Sequence, residues 1–159
     1  KEMEEIAAEG KTFPVECQFC DTTYSFTPED IEEILKTAKV APMVNQIRLC
    51  PGDTQDETVD WCREHGMVLE AYSPLGIGQI FEVPEMQKLA EKYQRSIAQV
   101  CIRWSLQRGY LPLPKSVTPS RIQENLKVFD FELSDEDVQL IADLKGCVGY
   151  ASDPDRTNF

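Results

Sequence analysis

The chemistry in this chain is concentrated in a few polar positions. Lys115 and Arg121 flank a turn that also carries the hydroxyls of Ser116, Thr118 and Ser120. The turn follows the apolar run Tyr110 to Pro114, which reads as a short buried strand. It precedes a helix start marked by Thr118 as N-cap and Pro119 at the first helical position. Two cations, hydroxyls and the unpaired N–H groups of a helix start are built to hold an anion. A capped surface helix with ordinary charges fits the same pattern. Arg121, Glu124 and Asn125 follow at i, i+3 and i+4, on one helical face. A second group is Cys17-Gln-Phe-Cys20, whose two sulfurs suit zinc or a redox pair, although structural zinc takes four ligands. Two reduced, idle thiols fit that spacing equally well. The one histidine, His65, stands at a predicted helix C-terminus before Gly66, where a cation is favoured on structural grounds alone.

The elements that position these groups follow from pattern. Met3, Ile6 and Ala7 give a short helix face that stops at Gly10, and residues 13–26 read as a hairpin around the two cysteines. Thr27-Pro-Glu-Asp30 opens a helix with Ile31, Ile34, Leu35 and Ala38 on its apolar stripe. Strands are predicted over Met43–Ile47, Met67–Tyr72 and Tyr110–Pro114. Thr54-Gln-Asp-Glu57 is expected to cap a helix running to Gly66, and Gly76 to Gly78 to be a flexible loop. Pro84 opens another helix, Ser96 with Gln99 caps the next, and Ser134 with Asp137 caps the last. Strands alternating with helices predict an α/β fold built from parallel βαβ units.

Several motifs occur together and in order: Leu111-Pro-Leu-Pro-Lys-Ser-Val-Thr-Pro-Ser-Arg-Ile-Gln-Glu-Asn125, Val44-Asn-Gln46, Ala71-Tyr-Ser-Pro-Leu-Gly76, Ile102-Arg-Trp104 and Val128-Phe-Asp-Phe-Glu-Leu-Ser134. On these the stretch from about Ile31 to Phe159 resembles the aldo-keto reductases, NADPH-dependent enzymes with a (β/α)8 barrel. The resemblance implies a partial barrel, its last three strands with the surrounding helices, behind a small N-terminal helix and β-hairpin. A closed barrel takes eight strands and typically about 250 residues, whereas this chain has 159. The implied domains are a CxxC hairpin segment over 1–26 and a half-barrel over 27–159.

The resemblance also implies site residues, each at a strand's carboxyl end. Gln46 would hold the nicotinamide carboxamide. Tyr72 would stack on the ring, with Ser73, Leu75 and Gly76 forming a loop for the pyrophosphate. Lys115, Ser116 and Arg121 would hold the 2′-phosphate, and Glu124 and Asn125 would reach the adenine. The implied cofactor is NADPH. The family's catalytic Asp, Tyr, Lys and His belong to the barrel's first half, and none of those motifs occurs here. No catalytic residue is therefore assigned, and a carbonyl substrate is expected only if the missing half is supplied. The family's Ser-Asn pair before the helix at Thr27 is replaced by Tyr24-Ser-Phe26.

Residues 1–35 resemble a different family, the redox-regulated bacterial heat-shock holdase, whose zinc-binding tail carries a similar CxxC run. The upstream cysteine pair of that tail is absent. The two resemblances imply a join near Phe26–Ile31; a natural fusion, an engineered chimera and a gene-assembly artefact all fit. The alternative function is thus a zinc or redox-sensing module on Cys17 and Cys20.

Composition narrows the partners. A net charge of −12 argues against nucleic acid and anionic membranes. It also leaves phosphate binding to local cations. No run approaches the roughly 20 apolar residues of a membrane span, and no signal-peptide pattern opens the chain, so a cytoplasmic protein with reduced thiols at its six cysteines is the expectation. An arc of three parallel strands has two open edges, through which self-association is expected.

Overall fold

The computed structural model describes residues 13–17, 22–26, 36, 38–40 and 42–149. The helices expected near Met3 and after Thr27, and Cys20 with them, lie outside the described residues, apart from one helical residue at Lys36. The chain divides into two compact units, 1–41 with 153–159, and 42–152. In the first unit, β1 (Phe13–Cys17) and β2 (Thr22–Phe26) pair antiparallel as a two-stranded sheet, in register from Phe13 opposite Phe26 to Cys17 opposite Thr22.

The second unit holds a three-stranded parallel sheet in the order β3 (Val44–Arg48), β4 (Val68–Tyr72), β5 (Leu111–Leu113). Between β3 and β4 runs α1 (Asp56–Glu64). Between β4 and β5 come a 3-10 segment (Gly76–Glu82), α2 (Pro84–Tyr93) and α3 (Ile97–Gln107). After β5 follow α4 (Pro119–Asn125) and α5 (Asp135–Ala142). Parallel strands require such crossovers, because a tight turn cannot return the chain to the same end of the sheet.

Alternation along the strands separates two faces. Leu69 and Ala71 of β4 are buried and join a core with Val59, Ile80, Met86, Leu89, Val100, Trp104, Tyr110 and Ile141. Trp104 is fully buried, and its indole N–H donates to the Val138 carbonyl at 3.0 Å, tying α3 to α5. On the opposite face Val44, Val68, Tyr72, Leu111 and Leu113 are exposed. The buried strand expected over Tyr110–Pro114 is therefore only partly realised. Tyr110 is buried, but Leu111 and Leu113 are 49% and 44% exposed, because nothing among the described residues covers that side of the sheet.

Local signals explain most boundaries. Ser96 forms a full capping box: its hydroxyl accepts from Gln99 N, and Gln99 Oε1 accepts from Ser96 N at 3.0 Å. Ser134 Oγ likewise accepts from Asp137 N at 3.3 Å. Three expectations change. The N-cap of α1 is Gln55, at φ 42°, rather than Thr54. Thr54 instead donates to Asp56 Oδ2, and Gln55 donates from Nε2 to the Arg48 carbonyl at the end of β3. Thr118 occupies the N-cap position of α4 but makes no side-chain cap hydrogen bond, while its backbone N–H donates to Ser116 Oγ at 3.2 Å. The loop expected at Gly76–Gly78 is instead a kinked pair of helical turns with φ 52° at Gly76, 54° at Ile77 and 88° at Gly78.

Candidate functional site

The candidate site lies at the carboxyl ends of β4 and β5. The segment leaving β4 and the segment leaving β5 enclose a cavity of about 280 Å³, lined by Ser73, Leu75, Ile77 and Gly78 from the first and Pro114 and Lys115 from the second. Two segments far apart in sequence meet because β4 and β5 are hydrogen-bonded neighbours, with Tyr72 opposite Leu113. Binding groups at this end of a parallel sheet follow the general rule for βα folds.

The loop after β4 is held in an uncommon conformation. Ser73 and Ile77, both on the cavity, have φ of 50° and 54°. A β-branched residue in that region is rare and strained, by about 1–3 kcal/mol. The turn is fixed by Gly76 N donating to Ser73 O and Gly78 N donating to Leu75 O, both at 2.9 Å. Those two N–H groups are therefore already engaged. Gly76 is buried, and a Cβ placed on it would sit 2.8 Å from Val148 Cβ. The absent side chain at Gly76 thus admits Val148, while Gly78 faces open space.

Of the residues expected at the site, the cavity brings together Ser73, Leu75 and Lys115. Tyr72, last in β4, is 42% exposed on the open face of the sheet. Gln46 is on the same side of the sheet but stands at the middle of β3, two residues short of its end. Ser116, Arg121, Glu124 and Asn125 do not line the cavity. Ser116 is spent on the turn with Thr118, and the Glu124 carbonyl accepts from Gln99 Nε2 at 3.2 Å, which pins α4 to α3. Lys115 and Arg121 are exposed and have no ion-pair or hydrogen-bond partner among the described residues. Cations elsewhere, such as Arg95 and Arg103, are engaged with carboxylates.

Sequence reasoning missed two residues. Glu70 lies beside Gln46 and accepts its amide N–H at 2.8 Å. Its position two residues before Tyr72, on the same face of a strand, was the available signal. Arg48 ends β3 and is buried; its guanidinium pairs with Asp53 at 2.9 Å and donates to the carbonyls of Val148 at 3.0 Å and Gly149 at 3.3 Å. No local pattern announces a contact that spans a hundred residues.

The remaining candidates are structural. His65 is the C-cap of α1; its Nδ1 lies 2.8 Å from the Trp61 carbonyl, and its ring stacks on Trp61 at 4.0 Å. Cys17 ends β1, and among the described residues no group of three or more His, Cys, Asp or Glu side chains forms a metal site. No helix among the described residues is long and apolar enough to cross a membrane.

Comparison with known proteins decides the family. The model of the aldo/keto reductase family matches residues 1–145. The chain belongs to the aldo/keto reductase family. The match begins at residue 1, ahead of the motifs that start near Ile31. Glyoxal reductase of Bacillus subtilis is 43% identical over 135 residues, which cover 85% of this chain and 49% of the relative. A Gox0644 variant solved in complex with NADPH superposes with a TM-score of 0.75 at 38% identity, over 84% of this chain and 50% of that one. The Bombyx mori aldo-keto reductase AKR2E4 in complex with NADP has a TM-score of 0.65 at 32% identity, over 75% of this chain and 42% of that one. The chain spans about half the length of the relatives it matches.

Proposed function

We propose that this chain is the NADPH-binding part of an aldo/keto reductase, with three consecutive strands of a (β/α)8 barrel, and that it binds cofactor without catalysing reduction by itself. The observation that carries this reading is the cavity between the β4 and β5 loops, where Ser73, Leu75 and a Lys115 with no partner among the described residues converge at adjacent strand ends. The NADPH and NADP complexes of the structural relatives support the cofactor class.

NADPH supplies a hydride when bound. The chain's own residues bind and orient it. The exposed Tyr72 ring offers a flat apolar surface for the nicotinamide, and the Gln46 amide offers a hydrogen bond to its carboxamide. Ser73 and Leu75 wall the cavity that takes the pyrophosphate. Lys115 and Arg121, without other partners among the described residues, would meet the 2′-phosphate dianion as charge-assisted donors. Ser116 stiffens the turn between them, and Glu124 and Asn125 stand on α4 toward the adenine. No Asp, Tyr, Lys and His set of the family's kind is assigned in this chain, so on this reading a carbonyl oxygen has no assigned proton donor.

Fluorescence titration tests the reading. A charged hydrogen bond is worth about 1.5–3 kcal/mol, so NADPH should bind at least tenfold more tightly than NADH, and Lys115→Ala or Arg121→Ala should erase most of that preference. Absent or equal binding refutes the cofactor role, and steady carbonyl reduction by the chain refutes the inactive part.

A second reading, a zinc or redox module, is favoured by one observation. β1 ends at Cys17, which pairs with Thr22 at the start of the antiparallel β2, so the first cysteine of the motif stands at the end of a strand pair; Cys20 lies outside the described residues. Zinc absent from the reduced protein, with both thiols titrating freely and no disulfide on oxidation, refutes it.

A further inference from the structure

We propose that Glu70 is a positioning residue that fixes which end of the Gln46 amide faces the cofactor. This inference rests on the cofactor reading above and deepens it. Gln46 and Glu70 are cross-strand partners in the β3–β4 ladder. Gln46 Nε2 donates to Glu70 Oε2 at 2.8 Å. On its other side Glu70 pairs with Leu111, whose side chain has nothing to donate.

The two ends of an amide are chemically different, and a carboxylate only accepts. The –NH₂ of Gln46 must therefore turn to Glu70, because the flipped amide would set oxygen against oxygen. This leaves Gln46 Oε1 directed away from Glu70 as an acceptor. A nicotinamide carboxamide has both a carbonyl and an –NH₂. With Glu70 in place, Gln46 receives the –NH₂ and so selects one rotamer of the carboxamide. Tyr72 lies two residues beyond Glu70 on the same face, so one strand holds both the residue that orients the amide and the ring surface.

The test compares NADPH with reduced 3-acetylpyridine adenine dinucleotide phosphate, in which a methyl group replaces the carboxamide –NH₂. Both ligands have a neutral dihydropyridine ring, so any effect of Glu70 charge on the ring cancels in the ratio of the two dissociation constants. The 159-residue chain is expected to bind NADPH roughly tenfold more tightly than the analogue, which corresponds to about 1.4 kcal/mol. Glu70→Gln should narrow the ratio to about twofold, because the introduced amide both donates and accepts and lets Gln46 take either orientation. Glu70→Ala, checked for folding by circular dichroism, should narrow it similarly. In a Gln46→Ala background, Glu70→Gln should leave the ratio unchanged. A ratio that survives both Glu70 substitutions overturns the inference while leaving the cofactor reading intact, and so does a Glu70 effect that persists without Gln46. Failure of the unsubstituted chain to bind NADPH overturns the cofactor reading itself, and this inference with it.

Discussion

Removing the carboxylate of Asp53 should destabilise the chain more than any change on its surface. Asp53 and Arg48 form an ion pair at 2.9 Å, with side chains only 5% and 6% exposed. Arg48 also donates to the carbonyls of Val148 and Gly149, and its Nε has no partner among the described residues. The pair therefore closes the end of β3 onto the segment after α5. Asp53→Ala leaves a buried guanidinium with two carbonyls and no counter-charge. Breaking one side of such a pair costs about 3–5 kcal/mol. For a chain of this size each kcal/mol lowers Tm by about 2–4 °C, so a fall of about 6–20 °C is expected in thermal unfolding followed by circular dichroism. Asp53→Asn, which keeps the shape and one acceptor, should cost less. The double variant Arg48→Met/Asp53→Leu should recover most of the loss, since apolar replacement of a whole buried pair is often neutral. A fall of under about 2 °C in Asp53→Ala, or a double variant less stable than the sum of the single ones, refutes the account.

Other consequences concern single groups. Burial pushes the Asp137 carboxyl upward, but the hydrogen bonds from Lys92 at 2.6 Å and from Tyr93 outweigh it and hold the pKa below the usual range. The depressed value means that its contribution is complete at neutral pH and is lost as pH falls from about 4, the ordinary carboxylate range, through the folded-state pKa; Asp137→Asn should flatten that acid limb in urea melts at pH 2–5. Gly76→Ala should cost about 1–2 kcal/mol for the left-handed backbone alone plus the displacement of Val148, and Val148→Ala in that background should restore only the second part; thermal melts that show full recovery would contradict it. Burial raises the Cys50 thiol to about 11, and also raises Cys101 and the partly buried Cys147. Ellman's reagent on the folded chain at pH 8, followed by peptide mapping, should therefore find Cys147 labelled well before Cys50 or Cys101, and the reverse order would refute the burial argument.

Much of the fold was legible because its signals are local. Ser96 and Gln99, or Ser134 and Asp137, stand three residues apart and act within one helical turn. Pro84 opens α2 because a first helical residue needs no N–H. The alternation of β4 reads directly as one buried and one exposed face. What escaped the sequence depends on register or on distant closure. Gln55 displaces Thr54 as the N-cap of α1 because its side chain reaches the Arg48 carbonyl, seven residues back. Glu70 meets Gln46 only because β3 and β4 are in that register. At the site, the convergence of Ser73, Leu75 and Lys115 follows from β4 and β5 being neighbours, which the order of motifs implies. The engagement of Ser116 in its own turn does not follow from any motif.

The two faces of the sheet also bear on why a chain of this kind keeps its site. Leu69 and Ala71 are driven inward by the helices, and that burial sets the strand positions. The same pleat then presents Gln46, Glu70 and Tyr72 together on the other face, whatever covers it. The cavity depends on the loops after β4 and β5 and on the Arg48 closure that holds Val148 against Gly76. None of these contacts draws on a strand other than β3, β4 and β5. Under the proposed cofactor reading, burial on the helix side of the sheet fixes the backbone from which Gln46, Glu70 and Tyr72 would meet the ligand on the open face. On that reading, binding without turnover is the behaviour these residues predict.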